Sequence, residues 1–142
     1  MTIMSVQKAL EDFRSKHRDA NQQIAGFIEA PFNTVRLWRH DRMPGAGNML
    51  KLQVFLTERG YQLNVPSHES EAVRYLAQLV AFRVLSAQDA YALLFSHNEE
   101  QNQLWAVFRG DRTPRPIRDG TLTLQDLTET YGAELASQRD KL

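Results

Sequence analysis

The sequence predicts a mainly α chain built as two small helical units. Apolar residues recur at helical spacing along most of the 142 positions. Clusters of Gly, Pro, Asn and Asp interrupt that periodicity and cut it into short helices. Pro66 follows a short alternating stretch near the middle, which divides the chain into residues 1–66 and 67–142. Hydrophobic residues make up 42% and charged residues 24%, an ordinary globular mixture. A chain of this length buries one moderate core or two small ones.

The first helix is expected from Ser5 to about His17, with Val6, Ala9, Leu10 and Phe13 as its apolar stripe. A second opens near Asn21, a good capping residue, and runs through Ile24, Phe27 and Ile28. Glu29-Ala30-Pro31 breaks it. Proline suits a first helical turn, so a third short helix is expected from Pro31 or Phe32 to Arg39 or His40. The loop Asp41–Gly47 is dense in turn residues. Asn48 then caps a fourth helix carrying Leu50, Leu52, Val54, Phe55 and Leu56, and Gly60 stops it. Tyr61–Val65 alternates and reads as a short strand.

In the second half a long helix is expected from about Glu69 to Val84. Ser86 with Asp89 has the spacing of a capping box and opens a helix through Ala90, Leu93, Leu94 and Phe95. His97-Asn98 breaks it, and a further helix runs from about Glu99 to Arg109 with Leu104, Trp105 and Phe108 inward. Pro114 and Pro116 mark an extended segment. Thr123 with Asp126 caps a last helix ending near Gln138. Residues 37–44, LWRHDRMP, are echoed by residues 107–114, VFRGDRTP. The second unit is therefore read either as a degenerate repeat of the first or as a separate packing and dimerisation unit.

Several chemistries find no support. There is no cysteine, hence no disulfide or thiolate site. His17, His40, His68 and His97 are scattered, with no HExxH spacing and no paired carboxylates beside them. No phosphate-binding glycine loop and no GxSxG elbow occurs. No enzyme activity, metal or cofactor is expected. No apolar run reaches the ~18 residues of a membrane span, and the first residues lack the pattern of a secretion signal, so a cytoplasmic protein is expected.

Net charge is zero, but its distribution is uneven. Residues 1–64 hold nine Lys/Arg against six Asp/Glu, a balance of +3, and residues 65–142 hold eight against eleven, a balance of −3. The positive half contains the two short helices with the tight break. In such a pair the second helix can enter a DNA major groove while the first braces it. Around Pro31–His40, Val35 and Trp38 share one side and read as core. Asn33 and Arg36 face elsewhere, and Asn pairs well with adenine, Arg with guanine. Thr34 suits a phosphate or a thymine methyl. Phe32 leaves two readings open, a thymine methyl or packing on a neighbour. His40 also points away from the core. Asn21 and Gln22, at a helix start, suit a phosphate. Arg39, Arg42 and Lys51 suit the DNA backbone.

Residues 20–56 resemble the helix-turn-helix of the Cro/repressor (Xre-like) family. The resemblance rests on the Gln-rich opening (Gln22, Gln23), the small Ala25, the apolar Ile28, the anchors Val35 and Trp38, the basic turn ending in Pro44, and the apolar helix Met49–Leu56. It covers about a quarter of the chain. It departs at Glu29, where the family usually has Gly in a left-handed turn, and in a post-helix turn one residue shorter. It implies a homodimeric transcription regulator, in all expectation a repressor, on a short duplex site. The rival reading is a helical protein–protein adaptor of antitoxin-like kind with weak or lost DNA binding, favoured by Glu29 and the neutral total charge. Arg109, Arg112, Arg115 and Arg118 are candidates for a second backbone contact, while Glu99-Glu100 would repel one.

Overall fold

The computed structural model describes residues 2–39, 41–65, 68–95 and 102–141. Among them the chain forms nine helices and two very short strands. It divides into two compact units, Met1–Val65 and Pro66–Leu142. No helix among the described residues is long and apolar enough to cross a membrane.

The first unit begins with β1 (Ile3–Met4), which pairs in parallel with β2 (Gln62–Leu63), Ile3 opposite Gln62. The alternation at 61–65 signalled a strand, but its partner is two residues with no pattern of their own. Helix α1 is Val6–Lys16; the Ser5 hydroxyl accepts from the Lys8 N–H. Its stripe of Val6, Ala9, Leu10 and Phe13 is buried as expected. Helix α2 (Ala20–Ile28) starts earlier than Asn21. Asp19 stands at the N-cap position, and Asn21 lies inside the first turn because its side chain is engaged elsewhere, as shown below. Helix α3 is Phe32–Arg36, only five residues.

Helix α4 (Ala46–Glu58) opens after Gly45, not at Asn48. The extended Gly45 backbone stands at the N-cap, and no side-chain cap is used there. Leu52, Phe55 and Leu56 of α4 are fully buried against α1 and α2. Phe13 meets Phe55 edge-on at 5.4 Å, and Phe27 lies 5.6 Å from Phe55. The Arg59 guanidinium sits 5.0 Å from the Phe55 ring, covering the core edge.

Tyr61 ties the end of this unit to its first helix: its hydroxyl donates to Asp12 Oδ2 at 2.6 Å. That bond, followed by the one from Lys16, holds the Asp12 carboxyl below its usual range. Burial first, then Asp12, push the Tyr61 phenol up to about 12 from 10.0. A raised phenol pKa means that the native state prefers the protonated form. The contribution is therefore present below pH 10.0 and lost as pH rises toward 12. The difference in denaturation midpoint between the parent and Tyr61→Phe is expected to shrink across that window. A difference independent of pH would contradict the assignment.

The second unit comprises α5 (Glu71–Ala81), α6 (Ala87–Leu94), α7 (Asn102–Phe108), α8 (Arg115–Arg118) and α9 (Leu124–Asp140). Ser70 and Ser86 cap α5 and α6 through the N–H groups of Val73 and Asp89. Thr123 and Asp126 complete a reciprocal capping box on α9. Helix α5 ends before Val84 because the chain turns through Arg83, whose φ is 62°. Pro114 and Pro116 do not hold an extended segment. They start α8, where a proline loses no hydrogen bond in the first turn. Of the three residues expected inward on α7, Leu104 and Phe108 are buried, with Val107, while Trp105 is only half-buried. The expected break at His97-Asn98 and the charges Glu99-Glu100 lie outside the described residues.

His68 is the buried polar residue of this unit, 6% exposed. Its Nδ1 accepts from the Ser70 N–H at 2.9 Å, so Nε2 carries the proton and donates to the Arg112 carbonyl at 3.1 Å. The ring thus joins the start of α5 to the segment before α8.

Candidate nucleic-acid interface

Helix α2 ends when Glu29 turns left-handed, at φ 62° and ψ 42°. The N–H groups of Glu29 and Ala30 both donate to the Ala25 carbonyl, at 2.8 and 3.2 Å. Pro31 then directs the chain into α3, and its carbonyl receives the N–H groups of Thr34 and Val35. Two helices are thereby joined by three residues, the length of a helix-turn-helix turn. Glu29 adopts the conformation in which the family usually places glycine, so this departure in sequence is not a departure in backbone. A non-glycine residue there costs about 1–2 kcal/mol. Glu29→Gly is expected to leave stability unchanged or raise it by up to ~1 kcal/mol, and Glu29→Val to lower it by ~1 kcal/mol or more, read from urea unfolding. A loss on Glu29→Gly would show that the Glu29 side chain, not the turn, matters.

Val35 and Trp38 are buried, 0% and 4% exposed, and seat α3 on α2. Ala25 is only half-buried, and its carbonyl rather than its methyl is what closes the turn. Asn33, Thr34 and Arg36 are exposed, as are Phe32 at 45% and Leu37 at 39%. Asn33 and Leu37 are one turn apart, opposite Val35, with Arg36 and Thr34 on the flanks. Phe32 lies nearer the buried side. The presented surface thus mixes one amide, one hydroxyl, one guanidinium and two large apolar groups.

The helix stops before Arg39 because Arg14 of α1 binds its end. Arg14 Nη2 donates to the Val35 carbonyl at 2.7 Å and Nη1 to the Trp38 carbonyl at 2.5 Å. Its Nε donates to Asn21 Oδ1 at 2.8 Å. One planar fork therefore joins α1, α2 and the end of α3. A cation at a helix C-terminus also opposes the negative end of the dipole. Burial first, then the nearby Arg39, push this guanidinium down, and Glu11 opposes them. Asn21 consequently spends its side-chain oxygen on Arg14, which fixes its amide and leaves the Nδ2 group as the donor that a phosphate would accept from. Nothing in the sequence marked Arg14, one position beyond the buried Phe13 on an otherwise ordinary helix.

Beyond α3, Arg39 and Arg42 exchange both backbone hydrogen bonds, each at 2.9 Å, as a single antiparallel bridge. Directly paired residues project to the same face of such a bridge. The two exposed arginines are thus presented together. His40 lies outside the described residues. Gln22 is exposed in the first turn of α2, near N–H groups that have no intrahelical acceptor. The Asp19 carboxylate shares that helix end and accepts from the Gln23 side chain at 2.8 Å. Lys51, in the middle of α4, is only half-exposed.

The echoed segment of the second unit closes differently. Gly110, at φ 96°, lets its N–H reach the Val107 carbonyl and that of Asp111 reach Ala106. Arg109 pairs with Asp111 at 3.0 Å. Arg112 lies over the Phe95 ring at 5.1 Å and donates to Gln103 Oε1. Of the four arginines considered for a second backbone contact, Arg109 and Arg112 thus have hydrogen-bonded partners within the fold, and the exposed Arg115 and Arg118 lie near Asp119. No group of three or more metal-ligating side chains occurs among the described residues. Comparison with protein-family models, with curated proteins and with solved structures yields no match, so the likeness to the repressor family rests on the residues and backbone geometry described above.

Proposed function

We propose that the first unit binds double-stranded DNA as a transcription regulator, a repressor acting as a homodimer in the cytoplasm, with α3 entering the major groove. The observation that carries this reading is the left-handed Glu29 turn between α2 and α3, which presents Asn33 and Arg36 outward from an anchored Val35 and Trp38. In this reading Asn33 and Arg36 meet base edges. Leu37 and Phe32 offer apolar contact to thymine methyls. Thr34, Gln22, Arg39 and Arg42 hold the backbone on either side, which fixes register without reading sequence. Two copies on a two-fold axis double these contacts at half-sites one helical turn apart.

The exposed Phe32 and Leu37 also favour a second reading, a protein–protein adaptor that uses the same helix as an apolar docking face. Fluorescence anisotropy of the full chain against genomic fragments, its own promoter included, separates the two. Binding that weakens steeply with salt supports the DNA reading. No binding to any fragment at low salt would overturn it.

A further inference from the structure

The second unit contains a recess of about 460 Å³, inside the roughly 300–1,000 Å³ range of small-molecule sites. It is lined by Leu93, Leu94 and Phe95 at the end of α6, by Pro116 and by Arg112, Arg115 and Arg118; Leu93 and Pro116 are its half-exposed apolar groups, whereas Leu94 and Phe95 are buried. Arg112 is already placed, over Phe95 and on Gln103. Arg115 and Arg118 are exposed at the two ends of α8, three residues apart, where like charges repel. Asp119 is the carboxylate interacting with both; it is fully exposed, and its Oδ1 also accepts from the Thr121 N–H and hydroxyl. Among the described residues three arginines stand against one carboxylate there, a cationic balance. Half-exposed Leu93 and Pro116 in one recess with two exposed guanidiniums suit neither a bare phosphate, which leaves the apolar groups uncovered, nor a neutral hydrocarbon, which leaves the guanidiniums uncompensated.

We infer that this recess binds a small organic anion with an apolar body, an aryl- or alkyl-carboxylate. Its carboxylate lies on Arg115 and Arg118 and its hydrocarbon on Leu93 and Pro116. Arginine suits the task through paired donation to a planar carboxylate. The inference concerns the second unit alone and does not depend on DNA binding by the first.

Isothermal titration of the full chain with 3-phenylpropanoate tests it. Saturable binding is expected, weakened about tenfold or more in Arg115→Ala/Arg118→Ala and unchanged in Arg36→Ala. Both replaced arginines are exposed, so the fold is expected to persist, and circular dichroism checks this. The uncharged 3-phenylpropanamide provides a test without any substitution and is expected to bind about tenfold or more weakly than the acid. Absence of saturable binding by the acid, equal binding of the amide, equal binding by the double variant, or equally tight binding of inorganic phosphate would each overturn the inference.

Discussion

Arg14→Ala is expected to destabilise the first unit by about 3 kcal/mol and to weaken its DNA binding together with its stability. The side chain makes three hydrogen bonds, to Asn21, Val35 and Trp38, from a half-buried position. Bonds from a charged donor contribute ~1.5–3 kcal/mol each when removal strands the partner, and partial solvent access lowers the sum. What distinguishes Arg14 from an ordinary core contact is its target. It holds the carbonyls at the end of a five-residue helix that is too short to persist on its own. Without it, the burial of Val35 and Trp38 is left to seat α3. Arg14→Lys provides a compact ammonium that cannot span three acceptors. It is therefore expected to recover no more than a minor part of the loss. Urea unfolding gives the stability, and anisotropy under strongly native conditions gives the binding. Full rescue by lysine would mean that charge, not the fork geometry, is what α3 needs.

The second large effect concerns the presented face. Asn33→Ala and Arg36→Ala are each expected to cost about 1–3 kcal/mol of affinity for the preferred site and to relax the base preference at one position. Arg39→Ala and Arg42→Ala are expected to weaken all duplexes alike and to reduce the slope of log K against log salt by about 1 each. The contrast follows from position. Asn33 and Arg36 project from the helix opposite and beside its buried Val35, whereas the two arginines stand on a backbone bridge past its end. All four residues are exposed, so these substitutions leave the core untouched. Equal salt slopes and unchanged base preference in all four variants would remove the distinction between reading and positioning residues.

The helices were legible in the sequence wherever an apolar stripe or a serine or threonine cap marked them. Ser86 and the Thr123–Asp126 pair cap their helices as their spacing required, and α1 starts after Ser5, where its apolar stripe began. The stripe of α1 and the anchors Val35 and Trp38 are buried as the periodicity required. The misreadings share a cause. Asn21 and Asn48 were assigned as caps from their type, but Asn21 is bound by Arg14 and α4 starts after an extended Gly45. Pro114 and Pro116 were assigned to an extended segment, although proline fits the start of α8 equally well. Local preference admits both outcomes, and tertiary contact decides. The candidate site was legible only in its helical part. The Arg14 fork joins residues 7, 21 and 24 positions apart, and no local pattern encodes such a link. The Arg39–Arg42 bridge was visible only as a turn-rich loop. Glu29 counted as a departure from the motif by residue type, yet its backbone is left-handed, as the motif position requires.

In the proposed function, α3 and the elements beside it form the DNA-facing surface. Titration of the ¹⁵N-labelled full chain with a short duplex at low salt tests it most directly, because phosphate contacts then suffice for binding without a known operator. The account predicts amide shifts concentrated at residues 21–23 of α2, residues 32–37 of α3 and its end, and the Arg39–Arg42 bridge. Shifts confined to the second unit, or none at saturating duplex, would contradict it.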